Sequence, residues 1–312
     1  MTRQPGSCWV LALLALAACG GQQGGASNGT GTGGSPATLA GAAGLSNSGT
    51  SGAAVTGGGA GGGDTLCPET RQLTRVGGTQ VALAFAPTLA GKPLVVGEAN
   101  AFGGGQVSPL NLRFYVSEVS LLAGDGTALP VDLVSPDGKP EPYGIHLVNF
   151  DEPTSTSLQV LAPAGTYSGA RFTFGISDAC NAGGSDRKPP LSANSEMGWP
   201  HLAGFLFFRY EAQWTAAAGA DTSAPPPPPS MIHMGGVVGN VFAPQASIAG
   251  ALAVPASGTL ARTVQVSFDE IFRAASSTED VSNVIIPTPE VIAGERLRRA
   301  VPTLPIFSLV EP

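Results

Sequence analysis

The sequence predicts an all-β protein, an antiparallel β-sandwich closed by a short C-terminal helical tail. Three observations point there. Short segments that alternate large and small or apolar and polar residues recur about every 10 to 15 positions, as strands with one buried face require. Turn residues separate them. No sustained helical period appears until the end of the chain.

Val81 to Ala86 alternates large and small residues, and Leu112 to Leu122 alternates again. Gly124-Asp125-Gly126 then supplies a turn before Leu129 to Leu133, which reads as a hairpin. Ile145 to Phe150 and Leu158 to Leu161 are further short strands, and Pro163 to Tyr167 turns tightly into Ala170 to Ile176. Ser177 to Asn194 is irregular and rich in Gly, Asp and Pro. Met197-Gly198-Trp199-Pro200-His201 follows, leading into an apolar strand over Phe205 to Trp214. Ala216 to Ser230, with five consecutive prolines, is an exposed insertion. Order resumes at Met231 to Gly236, and Thr263 to Asp269 is a late strand. Thr288 and Pro289 form an N-cap and first-turn pair that introduces a helix over Val291 to Val301.

The first residues set the compartment. Arg3 precedes a short apolar run from Val10 to Ala17, and Leu16-Ala17-Ala18-Cys19-Gly20 resembles the lipobox of bacterial lipoproteins. That resemblance implies a signal peptide over residues 1–18, lipidation of Cys19, and membrane attachment through acyl chains. Gly20, rather than Asp, after the cysteine favours the outer membrane, with the protein facing the periplasm or the cell surface. From Gly20 to Gly63 there are 18 glycines and no charged residue. Such a segment buries too little apolar surface to offset its ordering entropy. Residues 19–66 thus read as a lipidated tether with an r.m.s. span of roughly 35 to 40 Å, and 67–312 as one folded domain. Of the four cysteines only Cys67 and Cys180 fall in that domain, and an oxidising compartment would allow a disulfide between them.

A net charge of -7, with no basic stripe, argues against a nucleic-acid partner. The chain carries no Gly-x-Ser-x-Gly, no His-Glu-x-x-His, no phosphate-cradling loop and no Cys-x-x-Cys, so an enzyme is not expected. Soft metal ligands are the best remaining set. Imidazole and thioether together suit copper, Cu(I) above all. Met197 and His201 flank Trp199, and Met231 and His233 stand two apart, on one face of a strand, with Met234 on the other.

The strand motifs carry a resemblance. Leu112 to Val119, Val148 to Glu152, Pro163 to Tyr167, Phe174-Gly175-Ile176, Met197-x-Trp199, Gly204 to Phe207 and Ile232 to Gly236 stand in the order and spacing of the MbnP-like proteins, periplasmic copper-binding proteins named after the methanobactin operon. The similarity runs over a core of about residues 80–272. It implies a β-rich copper-binding protein, with a di-haem protein of the peroxidase type as the partner that oxidises a tryptophan to kynurenine in some members. His233 and Trp199 match family positions, whereas His201 stands where many members have a second tryptophan. The Leu-Asn-His segment of many copper-binding members is replaced by Ser177-Asp178-Ala179-Cys180-Asn181. The sequence therefore leaves two readings: a copper carrier, scavenger or store with His233, His201, Met197 and Met231 as ligands and Trp199 as oxidisable aromatic, or an adhesion or assembly module that keeps the fold without the metal.

Overall fold

The computed structural model describes residues 67–75, 77–182, 187–199, 204–219, 227–236, 242–281 and 287–310. The leader, Cys19 and the tether lie outside the described residues, as do His201 and the first part of the proline run.

Alternation builds the first strand: β1 (Thr79–Leu89) turns Val81, Leu83 and Phe85 inward at every second position. Two short strands, β2 (Lys92–Pro93) and β3 (Asn100–Phe102), lead into β4 (Gly105–Leu122), the longest of the described strands. The predicted hairpin follows through β5 (Ala128–Pro130), then β6 (Asp132–Val134), β7 (Ile145–Asn149), β8 (Ser157–Ala162) and β9 (Gly165–Phe174). After the one-turn helix α1 (Asp178–Asn181) come β10 (Gly198–Trp199), β11 (Gly204–Ala216), β12 (Met231–Gly235), β13 (Gln245–Val254) and β14 (Thr259–Ser267). Helices α2 (Phe268–Ala275) and α3 (Pro289–Ala300) and strand β15 (Phe307–Leu309) complete the domain.

The strands join in one continuous sheet, ordered β10-β11-β4-β9-β13-β15-β14-β1-β8-β6. It curls on itself, because rings from strands far apart in that order meet edge to face: Phe85 of β1 lies 5.3 Å from Phe114 of β4 and 6.2 Å from Phe172 of β9. These aromatic rings form the centre of a sandwich-like apolar core. Pairing is mostly antiparallel, with two parallel exceptions, β1 on β14 and β13 on β15.

One local feature differs from the sequence expectation. The strand expected to run to Asp269 stops at Ser267, whose hydroxyl accepts from the Glu270 amide as a helix cap, with Asp269 and Glu270 in the first turn of α2. Helix α3 opens as the sequence predicts, with Thr288 as an extended N-cap residue that makes no side-chain cap bond and Pro289 at the first helical position. A disulfide joins Cys67 to Cys180 with Cα atoms 5.0 Å apart, tying the start of the domain to α1 across 113 positions. Closing so long a loop restricts the unfolded chain by roughly 4 to 5 kcal/mol in the chain-entropy account. Among the described residues no helix is long and apolar enough to cross a membrane.

Candidate metal-binding face

Strand β12 carries the only sequence-predicted nitrogen ligand that the described residues include. It pairs antiparallel with β11, placing His233 across from Arg209 and Met231 across from Glu211. Alternation divides its side chains between two faces. Ile232 and Met234 are buried in the core, whereas Met231 is exposed and His233 half-buried on the opposite face. Gly235 lies on that same face, two residues beyond His233. A Cβ there would sit 2.8 Å from the Trp199 ring, so the glycine exists to let the indole lie against the strand.

The edge of β12 is covered by α3. A Cβ on Gly294 would come within 2.1 Å of the His233 carbonyl oxygen, so this helix approaches the strand closely enough that only glycine fits. Asn181 ties the neighbouring ends together: it accepts from the Phe205 amide at 2.7 Å and donates to the Gly236 carbonyl at 2.9 Å. Beneath β11, Tyr210 packs on Phe268 and Phe272 of α2. Burial raises the Tyr210 hydroxyl well above its usual value.

The polar side of this face is a chain of ion pairs. His233 Nε2 lies 3.0 Å from Glu211 Oε1. Arg209 grips the same carboxylate with two parallel donors, Nε to Oε1 and Nη2 to Oε2, each at 3.0 Å. Its remaining arm donates to the Glu196 carbonyl at 2.8 Å, and Arg113 bridges the Glu196 and Asp151 carboxylates at 3.1 Å each. Burial pushes the Glu211 carboxyl upward, but the hydrogen bonds and charges of Arg209 and His233 outweigh it and hold the group below the usual carboxylate range.

The predicted site residues are therefore spread unevenly. His233, Met231 and Trp199 share one side of the β11–β12 region. Met197 is fully buried among core residues, and its carbonyl accepts from the Leu206 amide at 2.7 Å. Cys180, in the segment Ser177 to Asn181, is spent on its disulfide. Among the described residues no three His, Cys, Asp or Glu side chains gather as a metal site. What remains is one imidazole with a thioether two residues away, a donor set that fits soft, low-coordinate copper better than a hard cation. Glu211 and Arg209 were not singled out from the sequence. Their signal was present, as two charges alternating in a strand otherwise apolar over Gly204 to Phe208.

The MbnP family model matches residues 78–287, two thirds of the chain. The chain belongs to the MbnP family. A solved structure, MbnP from Methylosinus trichosporium, is similar at 18% identity, covering 74% of this chain and 98% of that one with a TM-score of 0.46. Comparison with curated proteins gives no match. The MbnP match spans β1 to α2 and so includes the strands that carry Trp199, Arg209, Glu211, Met231 and His233, whereas α3 lies beyond it.

Proposed function

We propose that this MbnP-family protein binds copper as a carrier, scavenger or store, held at the bacterial outer membrane by lipid on Cys19. Its donors are His233 and Met231, supplemented by His201. The observation that carries this reading is the sharing of one face of β12 by His233, Met231 and the Gly235 platform of Trp199. Bound Cu(I) would take an imidazole nitrogen and a thioether sulfur, both soft enough to prefer it to oxygen-seeking cations. Burial makes Met197 a core side chain first, so it is the weakest of the four candidates. Trp199, half-buried against Gly235 of the strand that carries the donors, is the aromatic offered to a di-haem peroxidase-type partner.

Titrating the purified chain with Cu(I) against a chromophoric competitor tests the reading. Stoichiometric binding that disappears in His233→Ala supports it, and unchanged binding in that variant removes the site. Intact mass and peptide mapping of the same material report oxidation of Trp199. One observation favours the second reading, an adhesion or assembly module without metal: the cystine and Asn181 occupy the segment that supplies a histidine in many members. Protein free of copper when purified from copper-supplemented cells would support that alternative.

A further inference from the structure

We infer that Glu211 is a positioning residue that fixes His233 in its Nε2–H tautomer and so presents Nδ1 as the nitrogen that meets a metal. The inference rests on the copper reading above, but its structural half stands independently of it. An ionised carboxylate can only accept hydrogen bonds. The ring nitrogen 3.0 Å from Glu211 Oε1 must therefore carry the hydrogen, which in neutral imidazole puts the lone pair on Nδ1.

Glu211 cannot easily turn away from this task. Both of its oxygens are held by Arg209, and Arg209 is in turn anchored on the Glu196 carbonyl. Nδ1 of His233 has no hydrogen-bond partner among the described residues, whereas at His146 both ring nitrogens face oxygens, Ser155 O at 2.9 Å and Glu141 Oε1 at 3.3 Å. A carboxylate holding the second nitrogen of a ligating histidine fixes the ring and raises its basicity, and loss of such a partner weakens metal binding by about 10- to 100-fold.

The test begins with nitrogen-15 NMR of the histidine rings in the metal-free full chain, in mildly alkaline buffer, with the His233 signals assigned by their loss in His233→Ala. The Nε2–H form is expected at His233 in the native protein. It should persist in Glu211→Gln, whose amide oxygen still accepts, and become a mixture in Glu211→Leu. Cu(I) affinity should fall about 10- to 100-fold in Glu211→Leu and less in Glu211→Gln. An Nδ1–H tautomer in the native protein overturns the inference, and this readout needs no variant at Glu211. A native Nε2–H tautomer without any copper binding instead overturns the copper reading, and with it the metal role of Nδ1, while leaving the orienting role of Glu211 in place.

Discussion

His146 and His233 stand on different strands of the same sheet, each within reach of a glutamate, and their ring nitrogens are partnered differently. Exposure hardly separates them, since their side chains are 12% and 19% accessible. The partners do. His146, beside a groove of about 380 Å³, is flanked by an oxygen at each ring nitrogen and works as a bridge between β7 and the turn at Ser155. His233 has one nitrogen held and the other open among the described residues, and it shares its strand face with Met231 and with Gly235, on which Trp199 lies. A histidine becomes a candidate ligand when its neighbours orient it without exhausting it.

The largest effect expected from this contrast falls on metal binding. His233→Ala should abolish Cu(I) uptake in equilibrium dialysis, whereas His146→Ala should retain the native stoichiometry; equal losses in both would erase the distinction. Next comes the support of the strand that carries His233. Gly294→Ala forces a methyl against the His233 carbonyl, and overpacking of this kind costs about 1 to 3 kcal/mol. Urea unfolding should show that loss, with weaker copper binding as β12 shifts.

How much of this could be read from the sequence depends on what each element's evidence is made of. Strands β1, β4 and β12 declare themselves through alternation of large side chains. Strand β13 does not, because Gln245 to Val254 is built largely of Ala, Ser and Gly, whose small side chains leave little period to detect. Helix α2 is hidden because Phe268 continues the apolar alternation of β14, and only the Ser267 cap with its acidic first turn announces the change. Parallel pairing of β1 with β14 joins segments about 180 positions apart and leaves no trace in either strand alone. At the site, His233 and Trp199 were visible as residue types in motifs. The Glu211–Arg209 clamp was not, because its meaning depends on the β11–β12 register that sets both charges beside His233.

Smaller effects are expected at His146 and at Glu211. His146→Ala removes two hydrogen bonds and should destabilise the fold by about 1 to 2 kcal/mol without changing copper stoichiometry, as chemical denaturation beside a metal titration would show. The smallest effect concerns acid. The folded protein holds Glu211 below its ordinary value of 4.5, so its ionised form adds stability that is fully present above that pH and is lost as pH falls through the lower native value. Denaturation at stepped pH should show the gap between native protein and Glu211→Gln shrinking on acidification, and a constant gap would mean that the charge contributes nothing.

The most direct measurement follows the nitrogen-15 ring signals of His146 and His233 together while Cu(I) is added to the full chain. The His233 signals should move and saturate at stoichiometric copper, with Nδ1 shifting most, while those of His146 stay in place. Movement of His146, or an unmoved His233 in a protein that nonetheless takes up copper, would contradict a copper site at His233.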